Sequence, residues 1–467
     1  MSRLELNLPY LKIVNLGYKY RLYPTIEQQT ILNHQMFIYN QAYNICLNLW
    51  KEEQEKNKTL PKEKQTHRKQ KEIDQEVKNI LMARKLEYKT VVTQQARINF
   101  QKAVNRAFLK EVVAERKKAI AKAVTPKEKA KAINLGFPKF KSSKNMNQSF
   151  SWNNQGYSIL EHDNDRFEIL RLIRENIKIR YHRDLPKNYK MCSITISKDA
   201  TGYFVSFGIE FKKEIDLVVT SENLDMTKSI GIDLNVNNFA ISMPFDGEQL
   251  LDNGSQNRRA VQFGKVIKTL QKKQSRRDIK TRKLKVKKGK NYQKTQRKIN
   301  RLKKQQSNKK SDLYHKISKT LTDKFESIAV EDLKLKNMTK SSKGNEQKHG
   351  KNIKQKSGLN RSILSASFYQ FVAMLQYKQT MLNEKLFVKV NPQYTSQICN
   401  RCGYKDKNNR KTQSKFKCLR CHHEINADIN ASENIERRGL ESLGLGISLQ
   451  DYKSESLSNS DSLESAS

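Results

Sequence analysis

Ser229-Ile230-Gly231-Ile232-Asp233-Leu234-Asn235 is the stretch on which the second half of this chain turns. Ile230, Ile232 and Leu234 suit a buried strand, and a carboxylate inside one is costly unless it binds something. Residues 239–242 follow closely enough to return as a hairpin partner for residues 230–234. Further on, Ile328-Ala329-Val330-Glu331 is a second short buried strand that ends in an acid. Asn426-Ala427-Asp428-Ile429-Asn430-Ala431 reads as a helix start carrying a third. Residue types alone leave two readings open. In one, Asp233 serves a turn while Asp332 and Asp428 cap helices. In the other, Asp233, Glu331 and Asp428 form a single metal site. Phosphodiester hydrolysis gives such a trio a purpose, because two Mg²⁺ ions roughly 3.5–4 Å apart can neutralise a crowded phosphate. Mg²⁺ prefers carboxylate and water oxygen. Two Asp and one Glu drawn from strand, strand and helix would build that site on a ribonuclease-H-like sheet.

Between the second and third acids lies Cys399-Asn400-Arg401-Cys402-Gly403, followed by Cys418-Leu419-Arg420-Cys421, in the pattern C-x2-C-x15-C-x2-C. Two intervening residues let both sulfurs of a pair point inward from one tight turn, and Gly403 eases the positive φ that such a turn requires. Two turns of this kind close a tetrahedral four-sulfur site, the geometry Zn²⁺ accepts. Four protein ligands leave no open position, so the expected zinc is structural. Arg401, Lys405, Lys417 and Arg420 can offset the negative charge of the thiolates. Cys46 and Cys192 sit in apolar patterns and are expected in the core.

The first half alternates less with acids and more with periodicity. Thr25-Ile26-Glu27-Gln28 after Pro24 fits a capping box, and Ile31, Ile38, Ala42, Ile45 and Leu49 recur at helical spacing, predicting a helix over 25–50. Residues 51–90 offer little apolar surface to bury. A second helical pattern covers 93–121 through Ala96, Phe100, Val104, Phe108 and Val112, and the Lys- and Ala-rich residues 123–135 are expected to be exposed. Gly136-Phe137-Pro138-Lys139-Phe140-Lys141 breaks the pattern. Tyr203, Val205, Phe207, Ile209 and Phe211 then alternate strictly, and Asp199-Ala200-Thr201-Gly202 supplies the turn from the strand at 193–197. Residues 167–181 have the same character. The expectation is a small, mostly antiparallel barrel or sheet.

Charge decides the class of partner. The chain has 467 residues with 91 Lys and Arg against 47 Asp and Glu, a net charge of +44. Residues 258–310 hold 23 Lys and Arg against one acid, Asp278, which is half the net charge. Sparse apolar residues there (Val266, Leu270, Ile279, Leu284, Ile299, Leu302) predict an amphipathic helical hairpin laid along phosphates, with a solvated face or an unstructured arm as the alternatives. A polyanionic partner follows. No run approaches the ~18 apolar residues that a spanning helix needs, so no membrane partner is expected. The charged start MSRLELNLPYLK is unlike a secretion signal, and cysteines spaced for metal point to a reducing compartment. Residues 340–358 read as a mobile loop. Residues 441–467 read as a Ser-rich acidic tail without fixed structure.

Taken together, these residues resemble TnpB, the RNA-guided nuclease family of bacterial insertion sequences, related to the smaller type V CRISPR effectors. The resemblance runs from Tyr18-Lys19-Tyr20-Arg21-Leu22-Tyr23-Pro24-Thr25 through Phe37-Ile38-Tyr39-Asn40 and Gly136-Phe137-Pro138-Lys139-Phe140-Lys141. It is densest at Gly231-Ile232-Asp233-Leu234, at Val330-Glu331-Asp332-Leu333 and at Val390-Asn391-Pro392-Gln393-Tyr394-Thr395-Ser396. From there it continues through the four cysteines into Asn426-Ala427-Asp428-Ile429-Asn430-Ala431-Ser432-Glu433-Asn434-Ile435. Ser365 stands where relatives often carry an acid, and Phe368 where they often carry Trp.

The resemblance implies an α+β multidomain chain. Residues 1–20 and 136–225 would form a wedge-like β-barrel and residues 21–135 an inserted helical recognition domain. Residues 226–440 would form a RuvC-like (RNase H-like) nuclease domain with a zinc ribbon inserted at about 395–424, followed by the 441–467 tail. It places a nuclease centre with two Mg²⁺ ions on Asp233, Glu331 and Asp428, and one structural Zn²⁺ on Cys399, Cys402, Cys418 and Cys421. Implied partners are a guide RNA copied from the transposon end and double-stranded target DNA, met by a monomer in a bacterial, nucleoid-associated cytoplasm. Gln94 falls where the family reads a short target-adjacent DNA motif. Arg276, Arg277, Lys280, Arg282 and Lys283 are expected on phosphates. The activity implied is RNA-guided cutting of DNA. The alternatives are a non-cutting RNA-guided repressor, which the three retained acids disfavour, and a transposase that joins DNA ends.

Overall fold

A computed structural model of the chain describes residues 10–445, apart from residues 124, 143–144, 154–155, 161–166, 246, 255–257, 284–288 and 345–349. The chain divides into two compact units, one of residues 13–212 and the other of residues up to 12 together with those from 213 onward. Most of the expected acidic tail lies outside the described residues.

The first unit opens with β1 (Tyr10–Tyr23) and continues into five helices: α1 (Ile26–Lys58), α2 (Gln70–Ala83), α3 (Thr90–Ala107), α4 (Lys110–Ala121) and α5 (Pro126–Ile133). Six strands follow: β2 (Gln148–Trp152), β3 (Tyr157–Leu160), β4 (Phe167–Leu172), β5 (Glu175–Arg180), β6 (Lys190–Asp199) and β7 (Gly202–Ile215). They join β1 in one sheet of order β2-β6-β7-β1-β5-β4-β3. Thr25 and Gln28 cap α1 reciprocally, which fixes where the strand ends and the helix begins. The β6–β7 turn is held by the Asp199 carboxylate, which accepts from the Thr201 amide at 2.7 Å and from its hydroxyl at 2.6 Å. Tyr203, Val205, Phe207 and Ile209 are buried as the alternation requires, in one core with Ile38, Ala42, Ile45 and Leu49 of α1.

Three expectations for this unit are corrected. Residues 51–90 do bury apolar surface: α1 runs on to Lys58, and Val77 and Leu81 of α2 join the core. The helix expected over 93–121 is two helices, and Phe108, at the break between α3 and α4, is 55% exposed. Cys46 is buried, whereas Cys192 is exposed. The β6–β7 register shifts between Met191 and Ser193, and this irregularity turns the cysteine out of the core.

The second unit carries β8 (Ser229–Leu234), β9 (Asn238–Phe245) and β10 (Glu248–Asp252), then the basic helices α6 (Arg258–Lys283) and α7 (Lys290–Lys324), then β11 (Ser327–Glu331). Next come α8 (Leu335–Met338), α9 (Ile353–Ala366), α10 (Phe368–Gln376), a π-helical turn Tyr377–Leu382 and β12 (Leu386–Val390). Short strands β13 (Lys415–Lys417) and β14 (Glu424–Asn426) lead into α11 (Ala427–Ser442). Helix α9 begins inside the stretch expected to be a loop.

The five-stranded sheet has the order β10-β9-β8-β11-β12. β8 pairs antiparallel with β9 and parallel with β11, and β11 pairs parallel with β12. This is the ribonuclease-H-like strand order, three antiparallel strands followed by two parallel ones. Ile230, Ile232 and Leu234 share a core with Tyr314 and Leu321 of α7 and Phe371 and Leu375 of α10. Burying each such side chain contributes roughly 1.5–3 kcal/mol. Strand alternation therefore sends Gly231 and Asp233 to the opposite face, where α11 lies. Among the described residues, no helix is long and apolar enough to cross a membrane.

Candidate active site and zinc knuckles

Two facts of the sheet bring the first two acids together. Asp233 stands one residue beyond Ile232, and Glu331 one residue beyond Val330, and Ile232 and Val330 are register partners on neighbouring parallel strands. Glu331 and Asp233 thus lie side by side at the carboxyl ends of β8 and β11, on the same face. The third acid arrives by helix packing. A Cβ on Gly231 would lie 2.0 Å from the Ser432 carbonyl oxygen and 2.4 Å from the Glu436 amide nitrogen. A Cβ on Gly439 would lie 2.6 Å from the Ala329 Cβ. Small residues on strand and helix let α11 rest directly on β8 and β11, so its first turn, with Asp428, reaches the same end of the sheet. Asp428 does not cap the helix: Asn426 does, accepting from the amides of Asp428 and Ile429. Asp332 is no cap either, and its partner is Lys334.

The electrostatics are those of carboxyl groups crowded out of water. Burial pushes the Asp233 carboxyl up to about 7, helped by the charges of Glu331 and Asp428 and opposed by a 2.9 Å hydrogen bond from the Asn235 amide. Burial also raises Glu331, against a 2.6 Å hydrogen bond from the Thr395 hydroxyl and the charge of Arg438. Burial raises Asp428, while the Arg410 guanidinium, 3.2 Å away, lowers it. Three buried carboxyl groups, two of which raise the pKa of the third, form a donor set suited to a hard divalent cation. Thr395, Arg410 and Asn235 carry no signature of their own in the sequence. Thr395 lies in the 390–396 block and Asn235 in the opening stretch, but neither pattern assigns a bond.

The cysteines close as their spacing requires. Their four Sγ atoms all lie within 4.8 Å of one another, the one group of His, Cys, Asp or Glu ligand atoms to do so among the described residues. Cys399 and Cys421 approach to 3.7 Å, and Cys402 and Cys418 to 3.6 Å. Gly403 and His422 occupy matching places after each pair, with φ of +72° and +56°. Their amides donate to the carbonyls of Cys399 and Cys418 at 2.9 and 3.1 Å. Burial pushes the Cys399 thiol up to about 12. Burial acts the same way on Cys421, but the His423 amide and the other cysteines bring it down to about 7. Four converging sulfurs in two tight turns fit a zinc ribbon.

Helix α11 ties the knuckles to the acids. Asn430 donates to the Ile398 carbonyl at 2.9 Å and accepts from the Asn400 amide at 3.0 Å, and Asn434 donates to the carbonyls of Thr395 and Ile398. Asn430 and Asn434 are therefore clamps, a role that spacing did not reveal.

The residues expected on nucleic acid are scattered. Gln94 is exposed on α3 in the first unit. Arg276 is exposed on α6, whereas Arg277 donates to the Asn291 carbonyl at 3.0 Å and the Thr295 hydroxyl at 2.7 Å, stapling α6 to α7. Lys280, Arg282 and Lys283 lie at the end of α6, where the side chains fall outside the described residues.

Three family models match: "Cas12f1-like, TNB domain" over residues 368–435, "Probable transposase" over 212–342 and "Helix-turn-helix domain" over 14–59. The last region is here a strand followed by a single long helix. The chain is 41% identical over 166 residues to the Escherichia coli (strain K12) protein named "Putative RNA-guided DNA endonuclease InsQ", a match covering 36% of this chain and 41% of that protein. It is 23% identical over 456 residues to a Streptomyces pristinaespiralis protein named "Putative RNA-guided DNA endonuclease", covering 95% and 94%. A solved Cas12f1–sgRNA–target DNA complex aligns over 88% of this chain and 83% of that one, at 15% identity and a TM-score of 0.48. Two insertion-sequence models and the zinc-domain model thus match successive parts of the chain, and over those parts the chain is similar to TnpB-like proteins and to the small type V effectors.

Proposed function

We propose that this chain is an RNA-guided DNA endonuclease of a transposable element. The observation that carries the reading is the pairing of Asp233 and Glu331 on adjacent parallel strands beneath the first turn of α11, where Asp428 stands. Asp233, Glu331 and Asp428 would hold two Mg²⁺ ions, which supply an activated water and charge neutralisation at the scissile phosphate. Thr395 fixes the Glu331 carboxylate, and Asn235 that of Asp233. Arg410 holds Asp428 and brings positive charge next to the acids. Cys399, Cys402, Cys418 and Cys421 would hold one structural Zn²⁺ that keeps the loop bearing Arg410 and Thr395 in place.

Guide RNA from the transposon end would lie on the basic surfaces, α6 and α7 among them. Sequence is then read by guide–target pairing, and the protein reads only a short flanking motif on double-stranded DNA, with Gln94 as the proposed reader. The active species is a monomer in the RNA complex, working in the bacterial cytoplasm at the nucleoid.

The test is cleavage of guide-matched plasmid by the RNA complex in Mg²⁺. Asp233→Ala, Glu331→Ala and Asp428→Ala are each expected to abolish cutting while target binding stays close to wild type. Binding without cutting by the parent chain would point to a repressor, and strand joining to a transposase. Full cutting by any one variant would remove that residue from the site.

A further inference from the structure

The second unit also holds a cavity of about 610 Å³ lined by parts of α6, α7 and the α9–α10 junction. That size falls in the range that holds one small ligand, roughly 300–1,000 Å³. Its lining is unlike the nuclease end of the sheet. Phe263 of α6 contributes an aromatic ring, and Lys303, Lys309 and Lys310 of α7 contribute three ammonium groups, against one carboxylate, Asp252. Lys309 stands over the Phe263 ring, 4.9 Å from its centroid. Lys310 is fixed, donating to the Ser365 carbonyl at 2.6 Å. Lys303 is exposed at the rim.

An aromatic face beside several cations, in a chain of net charge +44, is the combination that proteins use for single-stranded nucleic acid. The ring stacks on a base of any identity, and the cations follow the backbone.

We propose that this cavity takes one unstacked nucleotide of a nucleic-acid strand, with Phe263 against the base and Lys303 and Lys309 on the flanking phosphates. The inference deepens the proposed function and rests on it only for the presence of nucleic acid. The strand can be the guide RNA or a DNA strand, since both offer a base face and phosphates. When a base enters, the Lys309 ammonium leaves the ring for a phosphate, exchanging a cation–π contact for a stack and an ion pair. The pocket would thus pin one position of the strand without reading its sequence.

The test uses the full zinc-loaded chain without added Mg²⁺, so that cutting plays no part. The probes are 12-nucleotide single strands of 4-thiouridine-substituted RNA and 4-thiothymidine-substituted DNA. Photo-cross-linking with peptide mapping is expected to mark Phe263. Phe263→Ala is expected to weaken binding roughly tenfold with the salt dependence unchanged, because a stack releases no counterions. Lys303→Ala is expected to lower the slope of log K against log salt by about 0.7–0.9. Ser307→Trp fills the same cavity from an exposed helix position without removing any of these groups, and is expected to match Phe263→Ala. Loss with RNA alone assigns the site to the guide, and loss with DNA alone to a target strand.

Wild-type affinity for both probes in folded Phe263→Ala and Ser307→Trp proteins would overturn the proposal. A chain that cuts guide-matched DNA yet gives that result keeps its nuclease function and loses the pocket. A chain that shows the losses but never cuts keeps the pocket and loses the nuclease reading.

Discussion

Gly231 of the central strand and Ser432 of the last helix approach so closely that a single added methyl on the glycine would lie 2.0 Å from the Ser432 carbonyl oxygen. The neighbour is helix backbone, not a flexible side chain, so it cannot yield alone. Gly231→Ala should therefore lift α11 from the sheet, cost at least about 1–3 kcal/mol and carry Asp428 away from Asp233. Thermal unfolding and plasmid cleavage measured together check this. A variant with wild-type Tm and cutting would show that the helix position does not set the site.

The raised Asp233 carboxyl gives a pH prediction for the Mg²⁺-free protein. Its folded value near 7 stands above the ordinary 3.8, so between these values the folded chain keeps a proton that the unfolded chain has released. Stability contributed by this group is full at low pH and is lost as pH rises through about 7. Asp233→Asn removes the penalty, and in zinc-loaded protein without added Mg²⁺ at pH 8 it should stabilise the chain by about 2–4 kcal/mol, with little effect at pH 4. Denaturant unfolding at both pH values reads the difference.

Thr395→Val removes the hydroxyl that donates to Glu331. Hydrogen bonds to charged groups contribute about 1.5–3 kcal/mol, so the Mg²⁺ concentration for half-maximal cutting should rise roughly tenfold or more. The pH profile should move upward, because Glu331 then ionises less readily. Thr395→Ser keeps the donor and should recover most of the loss; failure to recover would mean that the methyl, not the hydroxyl, matters.

Elemental analysis should find one Zn²⁺ per chain, and Cys418→Ser should lose it. The ribbon has a core of only a few residues around Phe416, half of them the cysteines themselves, so without metal it should open locally. Hydrogen exchange should rise in residues 395–426 and, through the Asn430 and Asn434 clamps, in the first turn of α11. Unchanged exchange in a zinc-free protein would contradict a structural metal.

The two neighbouring arginines of α6 should behave differently. Arg276 is exposed, and Arg276→Ala should flatten the salt dependence of RNA binding by about one phosphate contact. Arg277 is spent on Asn291 and Thr295, so Arg277→Ala should loosen the hairpin, seen as lower helicity on heating, with the slope nearly unchanged. Equal slopes in both variants and the parent would make this face of the hairpin merely solvated.

What the sequence determined by itself are the features that depend on near neighbours or on rigid spacing. Thr25 and Gln28 cap a helix because both partners lie within one turn. Two C-x2-C turns aim four sulfurs at one point because each pair is fixed locally and only one loop must close. The alternation of β7 follows from a side-chain period of two, and the continuous apolar run of β8 from a strand covered on both faces. The placing of Asp233 and Glu331 near the ends of apolar strands was also legible, since charge inside such a strand is rare.

Only the tertiary structure decided what those acids meet. That Glu331 stands beside Asp233 depends on parallel register across about a hundred residues, and that Asp428 joins them depends on Gly231 and Gly439 admitting a helix. Thr395, Arg410 and the clamping asparagines are ordinary residues whose partners lie far off along the chain, so no local pattern marks them. The same reason separates Arg276 from Arg277 and turns Cys192 outward. Side-chain direction at a hairpin face or a strand irregularity is set by the packed neighbour, and the one-dimensional pattern holds no record of it.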